Sequence, residues 1–291
     1  MDWSFAQRPT PLAYFASLVQ GDDDIPLLEA AASLAQDEEP ALDVQQVLGD
    51  VDRLLRRVQT KLPPGADDLT RLAVLTQVFF KDLGFALNAN DYYAPENSHL
   101  HEVLRTRRGI PISLAVLWLE LAQGVGLDAQ GIGFPGHFLV KVTLEAGLVV
   151  IDPTTGESLG VDTLAERLAP YRDEVDRHAG ADLDEGETPL GLYLQACPPR
   201  DTLARMLRNL KEIYRSQEDW PRLLAVMERL VVLLPEDMHE RRDRGLVHAE
   251  LGHAGQALAD LQAYLEAEPL APDHGALAAR VKDIAGEAPG A

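Results

Sequence analysis

Three short stretches decide how the chain reads: Arg107-Arg108-Gly109-Ile110-Pro111-Ile112-Ser113-Leu114-Ala115, Phe134-Pro135-Gly136-His137-Phe138, and Ile151-Asp152-Pro153. Pro111 stands where a first helical residue belongs, because its missing N–H is one that a helix start leaves unpaired anyway. The apolar run behind it predicts a helix over 111–126. After that the pattern changes. Gln130–Phe134 is short and apolar, His137–Leu144 alternates, and Leu148–Ile151 is β-branched, so a hairpin through Glu145-Ala146-Gly147 would join two antiparallel strands. If Leu144 pairs with Gly147, the same register sets Asp152 opposite Leu139. Asp152 then shares a sheet face with His137 and lies diagonal to it.

Working outward, Val44, Val47, Leu48, Val51, Leu54, Leu55, Val58 and Leu62 form one apolar stripe of helical period, which Pro63-Pro64-Gly65 ends. Asp67 or Asp68 is placed to cap a helix running to about Gly84, with Leu69, Leu72, Leu75, Val78, Phe79 and Leu83 inward. Shorter helices are expected over Pro11–Val19 and Pro26–Ala35. The clusters Asp22-Asp23-Asp24 and Asp37-Glu38-Glu39 read as solvated loop faces. Residues 172–187 are strongly acidic and read as a polar excursion or a linker, with a domain boundary near 190–200.

Beyond the boundary the chain reads as helix to about Ala285, and it repeats. Pro235 and Pro269 are 34 residues apart; Lys211 and Gly245 match at one offset, Leu223 and Ala257 at a second, Met227 and Leu261 at a third. The period and the small, apolar and proline positions resemble the tetratricopeptide repeat. Two units would cover 204–271, with Pro272–Ala285 as a capping helix over the last apolar face. The expected division is 1–195, 200–285, and a disordered tail at 286–291.

The 291 residues are 46% hydrophobic and 25% charged, an ordinary globular balance. Acidic residues outnumber basic ones 47 to 26, for a net charge of −21. That field repels phosphate backbones and anionic lipid, so neither nucleic acid nor membrane is an expected partner. Cys197 is the only cysteine, which excludes an intrachain disulfide and a cysteine metal cluster. The first residues lack the pattern of a secretory signal, and no apolar run reaches the ~20 residues of a membrane span, so a cytoplasmic protein is expected.

A helix, a strand opening on His and a strand closing on Asp follow one another as in the papain-like and transglutaminase-like fold. In that fold a cysteine at the helix start is activated by His, and Asp orients the imidazole. The family pattern Gly-x-Cys-x-x-x-Ala aligns with Gly109, Pro111 and Ala115, and a helix-ending glycine aligns with Gly126. Proline therefore replaces the nucleophile. Cys197 lies outside the motif and is no substitute. The chain also resembles a bacterial family with a transglutaminase-like core followed by tetratricopeptide repeats, the SirB-type proteins described as regulators of sirC expression. The residues that carry this are Asn97-Ser98-x-Leu100, 107–114, Phe134–Leu139, Ile151-Asp152-Pro153 and Arg205-x-x-Arg208-Asn209-Leu210-Lys211-x-x-Tyr214.

The resemblance implies an α+β, mostly helical transglutaminase-like domain with a small antiparallel sheet, then an all-α repeat module. The expected function is non-catalytic, through a protein or peptide partner, with regulation as the role the family description implies. The competing reading is a hydrolase or transferase in which His137 and Asp152 serve a non-cysteine nucleophile such as Ser113. Asn97, Arg108, His137, Lys211 and Tyr214 are the candidate binding residues. Arg105, Arg107 and Arg108 are either salt-bridged or an anion-reading patch. His99 and His101 read as surface histidines without metal-ligand spacing, Trp118 and the Tyr92-Tyr93 pair as core or pocket wall. No cofactor or metal is expected.

Overall fold

The stripe from Val44 forms helix α3 (Val44–Gln59), whose N-terminus is capped by the Asp43 carboxylate accepting from the Gln45 and Gln46 amides. Val44, Val47, Val51, Leu54 and Val58 are its buried face. The computed structural model describes residues 9–21, 25–171 and 190–287. Asp22–Asp24 and the acidic stretch 172–187 lie outside them.

By packing, the chain divides into two units. One comprises residues 26–32 and 43–202, the other 1–25, 33–42 and 203–291. The sequence groups everything before 195 together; the packing instead assigns 1–25 and 33–42 to the repeat unit, for reasons found in two carboxylates below.

In the first unit, α3 is followed by α4 (Asp68–Thr76), capped by Asp67 and continued by a π-turn over Gln77–Asp82. Leu72, Leu75, Val78 and Phe79 are buried as the pattern requires. Leu69 is the exception, at 65% exposure: it sits in the first turn and faces out. Strand β1 (Ala86–Leu87) pairs in parallel with β2 (Arg108–Gly109), on either side of α5 (Leu100–Thr106).

Helix α6 (Pro111–Gly124) is buried nearly all round, Trp118 completely so. A helix apolar on every side belongs in a core, and α6 packs against β3 (Asp128–Ile132) and β4 (Leu139–Leu144). With β5 (Gly147–Ile151) and β6 (Ser158–Leu159) these make an antiparallel sheet in the order β3-β4-β5-β6. Leu144 pairs with Gly147 and Val140 with Ile151, the register read from the hairpin. The far side is closed by Leu164 and Leu168 of α7 (Val161–Leu168), packed on Ile132, Phe134, Leu139 and Val150.

The second unit is built from α9 (Pro199–Ser216, after the short turn α8, Leu190–Tyr193), α10 (Trp220–Leu233), α11 (Met238–Glu250), α12 (Ala254–Ala267) and α13 (His274–Glu287). The paired helices follow the 34-residue period, and α13 covers the last apolar face through Leu277 and Ile284 against Leu261 and Tyr264. Helix α13 continues to Glu287, so Gly286 and Glu287 are helical, and the rest of the expected tail lies outside the described residues. At Gly245 an added Cβ would lie 3.0 Å from both Asp260 Cβ and Leu261 Cγ, which is why a small residue stands there. Lys211, at the same position of the first repeat, departs from that rule. Its ammonium donates to Glu240 Oε2 (2.6 Å) and Asp243 Oδ2 (2.7 Å) on α11. Burial alone would raise the Asp243 carboxyl, but hydrogen bonds and charge from Lys211 and Arg242 hold it below its ordinary value.

The cluster Asp37-Glu38 corrects the reading of a solvated loop. Asp37 accepts a two-point bond from Arg229 on α10 (Nη2–Oδ1 2.8 Å, Nε–Oδ2 2.5 Å), and Glu38 accepts from the Tyr214 hydroxyl and pairs with Arg222 at 3.3 Å. Arg229 is 1% exposed, bonds the Ser33 carbonyl, and lies 4.9 Å from the ring centroid of Phe15, which α1 (Pro11–Leu18) supplies. Acidic loop residues here clamp a buried cation. Among the described residues no helix is long and apolar enough to cross a membrane.

Candidate functional site

The helix start that should carry a nucleophile carries Pro111, buried at the first turn of α6. Gly109 before it cannot be larger, since a Cβ there would meet Ser113 Oγ at 2.7 Å and Val103 Cγ1 at 3.1 Å. Ser113 Oγ accepts from the Ile110 amide (3.1 Å) and donates to the Asn97 carbonyl at 2.6 Å, with the Ile110 carbonyl at 3.1 Å. It is 0% exposed. A hydroxyl has one proton, and the shortest contact directs it to Asn97.

Asn97 is itself saturated. Its Oδ1 accepts from Asn88 Nδ2 (2.9 Å), and its Nδ2 donates to the carbonyls of Asp91 (2.6 Å) and Tyr92 (3.1 Å). The carboxamide thus closes the 88–97 loop over the start of α6.

His137 and Asp152 do meet. His137 Nε2 lies 3.2 Å from Asp152 Oδ1, with the imidazole partly exposed and the carboxylate at 3%. That oxygen also accepts from the Thr154 amide (3.0 Å) and hydroxyl (2.6 Å), while Oδ2 accepts from Arg167 Nη1 on α7 at 2.8 Å. Burial alone would raise this carboxyl; the hydrogen bonds from His137, Thr154 and Arg167 outweigh it and hold it well below the usual carboxylate range. The carboxylate thus joins strand β5, the turn after it, the loop before β4 and α7. Beside His137, Gly136 takes φ +67°, and a Cβ there would collide with the Tyr171 hydroxyl, so the hydroxyl end of the tyrosine occupies the space a side chain would need.

The other sequence candidates separate. Arg108 is exposed and donates to the carbonyls of Gly84 (2.7 Å) and Arg107 (2.9 Å). Lys211 and Tyr214 lie in the other unit at 7% and 1% exposure, committed to Glu240, Asp243 and Glu38, so they pack and do not line a groove. His99 is buried at 4% and stacks on His101; it is not a surface histidine. Tyr92 and Tyr93 are 42% and 74% exposed, meeting edge to face, so neither is core. The Cys197 amide donates to the Gly131 carbonyl, which sets that cysteine along β3.

Sequence reasoning missed Arg167, Thr154 and Tyr171. Thr154 was within reach, because an Asp accepting from the amide two residues on is a known turn. Arg167 and Tyr171 carry no local signal.

The transglutaminase-like superfamily matches residues 45–208. The chain belongs to the transglutaminase-like superfamily. A tetratricopeptide repeat family matches residues 210–282 of this transglutaminase-like protein. It is 34% identical to the UPF0162 protein of Xylella fastidiosa (strain Temecula1), over 85% of this chain and 86% of that one. It is 27% identical to Protein SirB1 of Salmonella typhimurium, covering 83% and 86%, and 27% identical to the UPF0162 protein YchA of Escherichia coli, covering 84% and 87%. No solved structure matches the chain.

Proposed function

We propose that this is a non-catalytic member of the transglutaminase-like superfamily, a cytoplasmic regulatory protein that works by binding a protein or peptide through its helical repeats. One observation carries the reading. The residue at the nucleophile position is Pro111, and Ser113, the hydroxyl two residues on, is fully buried with its proton engaged by the Asn97 carbonyl. Asp152 supports it, with its lone pairs divided among His137, Thr154 and Arg167. Tandem helical repeats stack into extended surfaces suited to peptides and helices, and one repeat family spans 210–282.

The test is capture from the extract of the source cell with three full-length baits. His137→Ala is expected to lower stability by about 1–3 kcal/mol, the cost of leaving a buried partner unsatisfied, and to capture the wild-type set of proteins. Gly245→Leu, which overpacks α11 against α12 at a cost of roughly 1–3 kcal/mol, is expected to lose them while residues 43–202 stay folded. Loss of the partners in His137→Ala with stability unchanged would move the function to the His137–Asp152 cleft.

A further inference from the structure

On this acidic chain, one pocket is lined by four arginines. It holds about 470 Å³ between α3 and α5, walled by Arg53 and Arg57 on one side and His101, Arg105 and Arg107 on the other, with Asp50 at its edge. None of its walls belongs to the His137–Asp152 group. Two of its arginines are neutralised: Arg53 pairs with Asp50, and Arg105 chelates Glu102 with Nε at 3.1 Å from each oxygen. His101 also faces Glu102, at 3.7 Å.

Arg57 and Arg107 are different. Arg57, exposed in the last turn of α3, makes no ion pair among the described residues. Arg107 ends α5 in the left-handed region, φ 58° and ψ 25°, where a helix usually places glycine. That backbone turns its guanidinium over the Phe85 ring, 4.7 Å from the centroid, and Nη1 is buried with no hydrogen-bond partner among the described residues. A buried charged donor without an acceptor is costly, and acidic residues outnumber basic ones 47 to 26 in this chain, so carboxylates to fill the gap are plentiful. None does. Burial and the neighbouring Arg57 charge both push the Arg107 guanidinium below its usual range.

We propose that this pocket binds the phosphate group of a small molecule, held between the guanidiniums of Arg57 and Arg107 that line it. A tetrahedral dianion offers several oxygens to two forked donors, and guanidinium matches phosphate in geometry as well as charge. The volume leaves room for a substituent on the phosphate. This site is independent of the repeat-mediated reading above and stands if that reading fails.

Isothermal titration of the full-length protein with inorganic phosphate, chloride replacing it at equal ionic strength in the control, provides the test. Saturable one-to-one binding is expected, weakened roughly ten- to hundredfold by Arg57→Gln and by Arg107→Gln. Arg57→Gln removes an exposed side chain without an ion pair, so it leaves the fold intact, and its circular dichroism should match wild type. Glycerol 3-phosphate and adenosine monophosphate distinguish the source. Tighter binding of either ester assigns the site to an organic phosphate, and tighter binding of inorganic phosphate to the free anion, which would overturn the substituent. Absence of saturable binding, or equal affinity in wild type and Arg57→Gln, would overturn the proposal.

Discussion

Arg229→Ala is expected to destabilise the repeat unit by about 3–5 kcal/mol, the cost of breaking a buried ion pair by removing one partner. Arg229 is buried to 1% and holds Asp37 through two nitrogens, the Ser33 carbonyl through one of them, and the face of Phe15. Truncation strips all four contacts and leaves the Asp37 carboxylate, itself only 20% exposed, without its countercharge. Urea unfolding followed by circular dichroism measures the loss as a lower midpoint. The pair Arg229→Met with Asp37→Leu should recover most of it, because apolar residues of similar size often replace a buried ion pair without loss. A single-mutant loss below about 1 kcal/mol, the range of an exposed pair, would show the clamp to be ornamental.

Asp152→Asn is the second large effect, about 2–3 kcal/mol near neutral pH, the scale of losing hydrogen bonds to a charged, buried carboxylate. Asparagine keeps an acceptor for Thr154 but gives up the charge that faces Arg167 and His137. The sign follows from the direction of the shift. A carboxyl depressed in the folded state contributes stability that is complete above its unfolded value, about 3.9, and lost as pH falls toward the folded one. Wild-type stability should therefore fall steeply below about pH 5, and Asp152→Asn should flatten that limb. Parallel acid limbs in the two proteins, by urea midpoints across pH, would contradict the bonding described for Asp152.

Features written locally were legible in the sequence. The α3 stripe and its proline end need only residues within a few positions. The hairpin register followed from the Leu144 and Gly147 pairing, and that register brought His137 to Asp152. The 34-residue spacing of Pro235 and Pro269 gave the repeats. What failed depends on distant partners. Asp37 meets Arg229 192 residues away, and Tyr214 meets Glu38 176 residues away. A charge run read by itself is a solvated surface, and only the folded chain shows the cation that it covers. Leu69 failed for a simpler reason: the apolar period continued one turn beyond the face that packs. In the candidate site, Pro111 at the start of α6 was readable from sequence, whereas Arg167 was invisible because its link to Asp152 is made by tertiary packing of α7. Arg108 was chosen for the basic run; the left-handed turn at Arg107 instead points that residue into the pocket.

The central claim is that the start of α6 holds no activated nucleophile and that His137 and Asp152 cross-link the sheet. It is tested most directly by labelling the full-length protein with a fluorophosphonate, which marks activated hydroxyls, and with iodoacetamide, which marks thiols, followed by mass spectrometry of the peptides. The account predicts no fluorophosphonate adduct, and a single carbamidomethyl adduct on Cys197 that Cys197→Ser abolishes. A phosphonylated Ser113, lost again in His137→Ala, would show a working hydrolase and contradict it.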